Sequence, residues 1–273
     1  MQPDRLHFAL NHMCAPALDI ERFFDLAMAL QCSGVEIRND LEGNAILDGT
    51  PAETVRQAAE RRGLAIISIN ALQRFNEWNA TREAEARALA QYVKACGAQA
   101  LVLVPTNDGS GRADGERQAN LLAALRGLRQ ILDDAGIRGL VEPLGFESCS
   151  LRSKSEAAEA IRTLGAQDTF ALVHDTFHHH LAGEPALFPE LTGLVHISGV
   201  TDPAVSVADM RDPHRVLVDA DDRLDNAGQI AALLAGGYAG PFSFEPFAPS
   251  VHRLPDPARA LSGSMEFIRS RIT

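Results

Sequence analysis

Glu142, Asp175, His196 and Glu245 each stand at the end of a short apolar run. The runs are Gly139-Leu140-Val141, Ala171-Leu172-Val173-His174, Leu194-Val195 and Phe242-Ser243-Phe244. Runs of this length predict strands buried on both faces. An acid or imidazole at the end of such a strand is poor core material and good metal-binding material. Three carboxylates and one imidazole suit one divalent ion of the Mn, Co, Zn, Fe or Mg type. They also need a cation, because carboxylates clustered in a dry site do not all stay ionised alone.

Each residue also has an ordinary structural explanation. A single acid at a strand end is most often a helix cap or a solvated loop group, and Asp175 alone rates no better. His196, between Val195 and Ile197, fits a hydrogen-bonded core histidine. Glu142 and Glu245 resist that explanation more strongly, since each precedes a proline (Pro143, Pro246) that favours extended backbone. Four such residues on four consecutive strands make chance the weaker account. Just after Asp175 come His178, His179 and His180. His178 is placed to reach the same cavity, as a hydrogen-bonder to substrate or as support for the ligands. His179 is expected to be solvated, His180 is undecided, and His174 should point to the opposite side, towards helices.

The elements that must position these groups alternate along the chain. Strands are expected at 6–11, 34–38, 65–70, 100–105, 139–142, 171–174, 194–197 and 242–245. Between them Asp19 caps a helix ending near Gly34, and Pro51 opens one that Gly63 closes. Thr81 is expected to cap a helix to Cys96. A long helix ends at Ala135, and Ser153 or Ser155 caps one to Leu164. Asp225 caps another, and the last runs from about 257 to 272. Eight strands and eight helical segments predict an α/β fold, a (β/α)8 TIM barrel, as one domain spanning 1–273. A doubly wound open sheet is the runner-up, and no G-x-G-x-x-G follows the first strand to support its dinucleotide-binding form. In a barrel the active site lies at the C-terminal face, where closure would bring the four groups together.

Composition narrows the partners. The 273 residues carry a net charge of −11, which argues against nucleic acid and against a membrane surface. Hydrophobic residues make up 46%, enough for a substantial core. Cys14, Cys32, Cys96 and Cys149 form no C-x-x-C pair and read as reduced thiols. The first six residues lack the features of a signal peptide, and a cytoplasmic location is expected. The expected partner is a small molecule, and a homo-oligomer is compatible with such a barrel.

The segments Val141-Glu142-Pro-Leu-Gly145, Asp175-Thr-Phe-His178, Val195-His196-Ile197 and Ser243-Phe244-Glu245 resemble the sugar isomerase/epimerase (xylose isomerase-like) TIM barrels. The likeness is nearest to the inosose (2-keto-myo-inositol) isomerases. It extends through Val35-Glu36-Ile37-Arg38, Asn70-Ala71-Leu72, Val104-Pro105 and Arg215-Val216. The resemblance implies that Glu142, Asp175, His196 and Glu245 bind one divalent metal, and that Glu142 and Glu245 serve as proton-transfer groups. It implies that His178, Arg215, Asn70 and Glu36 contact a polyol or keto-sugar, which isomerises through an enediolate. Hydroxypyruvate isomerisation, ketose 3-epimerisation and dehydration of 3-dehydroshikimate are alternatives. A DNA endonuclease or a non-catalytic sugar-binding barrel is disfavoured. Two departures bear on the substrate: Ser198-Gly199 follow His196 where the family often has Asp, and the stretch after Arg215 lacks the family's Trp-Pro-Gly-rich segment.

Overall fold

Among the described residues, 6–272 of the computed structural model, eight parallel strands close on themselves. They are β1 (Phe8–Asn11), β2 (Gly34–Arg38), β3 (Ala65–Gln73), β4 (Ala100–Val104), β5 (Arg138–Val141), β6 (Phe170–Asp175), β7 (Thr192–Ile197) and β8 (Phe242–Phe244). Their order around the barrel is the order of the chain. β8 returns to β1 through Phe8–Phe242, Ala9–Ser243 and Leu10–Phe244, a pairing an open doubly wound sheet cannot make. The segment 1–5, part of the stretch read for a signal peptide, lies outside the described residues, as does residue 273.

The outer layer is built from α1 (Ile20–Ala29), α2 (Ala52–Glu60), α3 (Ala80–Cys96), α4 (Glu116–Ala135), α5 (Lys154–Thr163), α6 (Thr176–Ala182), α7 (Asn226–Ala235), α8 (Pro249–His252) and α9 (Pro257–Arg271). Asp19 caps α1 by accepting from the Arg22 amide, and Ser153 caps α5 by accepting from Glu156 N. Asn79, not Thr81, caps α3: its side chain accepts from Arg82 N. Both residue types are good caps, and Asn79 sits one step before the first helical residue whereas Thr81 falls within the first turn. Among the described residues no helix is long and apolar enough to cross a membrane. Cys14, Cys32, Cys96 and Cys149 are all free and buried.

The period-two alternation of the strands sorts the barrel into two packed layers. Leu10, Val35, Ile37, Leu101, Val141, Leu172, Val195 and Phe244 join the large cluster shared with the helices. Ala9, Val102, Leu140, Ala171, Val173 and Leu194 form a separate small cluster inside the barrel. Two residues beyond Leu140, Val173 and Leu194 come Glu142, Asp175 and His196, and two beyond Ser243 comes Glu245. The same alternation that fills the barrel thus aims four ligating side chains up its axis. His174, in the opposite register, points to the helices, with Nδ1 2.7 Å from Lys154 Nζ and Nε2 2.8 Å from Gln229 Oε1.

Candidate metal centre

β6 and β7 set the first pair in register, Asp175 opposite His196. Glu142 and Glu245 lie one residue past β5 and β8, and their amides still donate to Leu103 O and Ile197 O of the neighbouring strands. The following Pro143 and Pro246 stop the strands while keeping the two glutamates extended. One ligating atom from each of Glu142, Asp175, His196 and Glu245 lies within 4.8 Å of the other three, and all four residues are buried. His196 Nδ1 stands 2.9 Å from Glu142 Oε1, 3.3 Å from Glu245 Oε2 and 3.9 Å from Asp175 Oδ2.

The electrostatics show how strongly this cluster demands positive charge. Burial lowers the pKa of His196, but Glu245, Glu36 and Glu142 outweigh burial and raise it well above the usual imidazole value. Burial pushes the Glu245 carboxyl up, and the neighbouring Glu142 adds to the rise. Asp175 is held low despite its burial, chiefly by Arg215. Arg215 Nη2 bridges Asp175 Oδ2 at 2.6 Å and Glu245 Oε2 at 3.0 Å. Three hard oxygen donors and one imidazole nitrogen, converging on one point and needing a cation, fit a divalent metal.

His196 is aimed by residues below it. Its Nε2 donates to Glu36 Oε2 at 3.1 Å, so Nδ1 is the ring nitrogen facing the carboxylates. Glu36 also accepts from Ser68 Oγ at 2.6 Å. Burial raises the Glu36 carboxyl, yet the His196 contact prevails and holds it at about 2. Glu36 was expected to contact substrate. It is 0% exposed, lies behind His196 and does not line the cavity. Fixing the tautomer and orientation of a metal-binding histidine is what such a carboxylate does. Glu36→Gln is therefore expected to weaken metal binding about 10–100-fold, measured by competition with a chelating dye.

The other expected residues surround the ligands. A cavity of about 450 Å³ opens above them, lined in part by Asn70, Glu142, His178, Arg215 and Glu245. Asn70 Nδ2 is 3.4 Å from Glu245 Oε1. His178 lines this cavity, and its buried Nδ1 has no hydrogen-bond partner among the described residues. Arg215 is 1% exposed, stacked 4.6 Å from the Phe247 ring and 5.0 Å from that of Phe177. Ser198 accepts from Arg215 Nε at 3.0 Å. Paired backbone bonds between Gly199 and Val216 fold the long connection back and deliver Arg215 to the barrel mouth.

Two site residues escape a search for ligand types. Arg38 Nη1 donates to Glu245 Oε1 at 2.9 Å, and Asn11 Nδ2 donates to the same oxygen at 3.1 Å. Both end inward-facing rows of their strands, a signal readable in Glu36 and Arg38 two positions apart on β2. His179, expected in solvent, is half-buried instead. α6 begins directly after Asp175, whose side chain caps it by accepting from Phe177 N and His178 N, and this brings the His179 ring 4.7 Å from that of His174.

A parallel eight-stranded barrel carrying three carboxylates and an imidazole at its C-terminal mouth defines a class, the (β/α)8 barrels with a candidate divalent-metal centre. Residues 24–271 match the model of the xylose isomerase-like TIM barrel family, and the chain belongs to that family. It is similar over 100% of its length, at 33% identity and a TM-score of 0.90, to a xylose isomerase domain containing protein from Salmonella typhimurium LT2, of which 99% is covered. The fold is shared with an IolI protein with a bound zinc atom (19% identity, 98% of this chain and 99% of that one, TM-score 0.87). It is shared as well with a D-allulose 3-epimerase from Methylomonas sp. in complex with D-allulose (18% identity, 98% and 97%, TM-score 0.72). No protein of curated description matches the sequence.

Proposed function

We propose that this protein is a divalent-metal-dependent isomerase or epimerase of a small keto-polyol or keto-sugar, with inosose as the substrate that the sequence resemblance favours. The observation that carries this reading is the convergence of Glu142, Asp175, His196 and Glu245 beneath a polar cavity. Two proteins of the same fold support it, one with zinc bound and one with a ketose bound. When bound, a divalent cation at such a site polarises a ketone and stabilises the negative charge of an enediolate.

The chain's own residues do the remaining work. A carboxylate of Glu142 or Glu245 removes the proton from the carbon beside the ketone, and the same or the other carboxylate returns one to the neighbouring carbon. Arg38, Asn11 and Asn70 hold Glu245 Oε1, so this carboxylate does not have to reorganise during transfer. His178, which lines the cavity, binds a substrate hydroxyl through its ring. Leu144, Phe146 and Phe247 supply apolar wall that keeps bulk water from the reacting carbons.

Treatment with a chelator is expected to abolish turnover of inosose or a ketose, and Mn or Co should restore it. Activity that survives complete metal removal would count against the proposal.

A further inference from the structure

Beside the metal site the barrel mouth holds a second cavity, larger than the first, of about 710 Å³. The two adjoin across Asn107, Phe146 and Asp212, which line both. Three guanidiniums, those of Arg112, Arg152 and Arg211, line the outer cavity of a chain whose net charge is −11. Their partners are chiefly backbone carbonyls. Arg112 Nη1 donates to Glu147 O at 2.6 Å. Arg152 donates to Gly145 O and Leu181 O, each at 2.7 Å. Arg211 Nη1 donates to Met210 O at 2.6 Å and Ala208 O at 2.8 Å. Carbonyls fix where a guanidinium points without cancelling its charge.

The carboxylates nearby do little to cancel it. Glu147 reaches Arg152 at 3.0 Å, but its side chain is 83% exposed and the pair is screened. Asp212 is paired towards the inner site, 3.5 Å from Arg215 Nη1. Phe146 stands at the junction. Its ring packs edge-on against His178, with centroids 5.0 Å apart, and the Arg211 guanidinium lies 5.9 Å from its centre.

We propose that the outer cavity is a substrate subsite for an anionic group. The ketone end of the substrate lies over Glu142 and Glu245, the chain passes Phe146, and a phosphate or carboxylate at the far end is held by Arg112, Arg152 and Arg211. Planar forks already aimed by carbonyls suit either oxyanion. The inference rests on the isomerase reading and adds keto-sugar phosphates or keto-sugar acids as substrates that span both cavities, whereas a neutral ring such as inosose uses the inner cavity alone.

The test is calorimetric binding of fructose, fructose 6-phosphate and fructuronate to the Mn-loaded protein. At least one anionic ketose should bind about tenfold or more tightly than fructose, and which one does so separates phosphate from carboxylate. The preference should shrink as salt is raised. In Arg112→Gln/Arg211→Gln the ratio of anionic to neutral affinity should fall roughly tenfold. Arg152 is kept in that variant because its two carbonyl bonds join the β5 loop to α6. Equal affinity for the three ketoses, no binding of any, or an unchanged ratio in the double variant would overturn the subsite. Since the readout is binding, the two proposals fail separately. Anionic preference without proton exchange sinks the isomerase reading, and exchange on fructose without that preference sinks the subsite.

Discussion

Asp175→Asn is expected to abolish divalent-metal binding and leave the protein folded. Asp175 has two jobs, and the substitution separates them. Its Oδ1 accepts from Phe177 N at 2.8 Å and His178 N at 3.1 Å, capping α6, and an asparagine carbonyl can keep both bonds. Its Oδ2 supplies negative charge to the centre, and the amide does not. Arg215 keeps Glu245 as a partner at 3.0 Å, so no buried cation is left alone. The new amide faces Arg215 Nη2 donor to donor, however, so Asp175→Asn should fold and be less stable to denaturant. The loss of metal affinity should exceed the roughly 10–100-fold that removal of an outer partner costs. Asp175→Ala should lose metal too, together with about 1 kcal/mol of helix-cap stability. Elemental analysis after gel filtration, paired with circular dichroism, reads both effects. Full metal occupancy in Asp175→Asn would remove Asp175 from the ligand set.

Loss of the proton-transfer carboxylate should be the largest kinetic effect. Glu142→Gln or Glu245→Gln is expected to lower kcat about 10²–10⁴-fold, and the two differ in cost to the fold. Glu142 Oε1 contacts His196 Nδ1 at 2.9 Å, an interaction a glutamine carbonyl can replace. Glu245 accepts from Arg38, Asn11 and Asn70 on one oxygen and from Arg215 on the other. A glutamine there sets an amide donor against a donor on one side or the other, so Glu245→Gln should also be less stable to denaturant. Single-turnover kinetics with metal content measured in parallel distinguish the base from a group that only holds metal. The variant that keeps metal and loses the chemical step marks the base.

What the sequence reveals about the site follows from two regularities, the period of a strand and the closure of a barrel. Glu142, Asp175, His196 and Glu245 are legible because each ends an apolar strand, and because β8 pairing with β1 places consecutive strand ends in a ring. Glu36 is legible as an inward residue but not in its depth. It sits two positions below Arg38 on β2, and only the assembled barrel puts it behind His196 rather than in the cavity. Arg38 and Asn11 carry no ligating group, and their common target lies 207 and 234 residues away. Arg215 belongs to an irregular connection whose path depends on the Gly199–Val216 backbone pairing, so resemblance points to it and periodicity does not. The strand 65–70 is observed to run on to Gln73, and the cap of α3 is two residues earlier than expected, shifts set by tertiary pairing and by a choice between two good caps.

Glu142, Asp175, His196 and Glu245 are proposed to form a metal centre for proton transfer beside a ketone. Solvent-hydrogen exchange tests it most directly. The Mn-loaded protein is incubated in D₂O with inosose and with a panel of ketoses and their phosphates, and NMR follows the carbon next to the carbonyl. Metal-dependent deuterium entry at that carbon, lost in Glu142→Gln or Glu245→Gln, is the predicted result. Metal bound at full occupancy with no exchange on any of these ketones would contradict it.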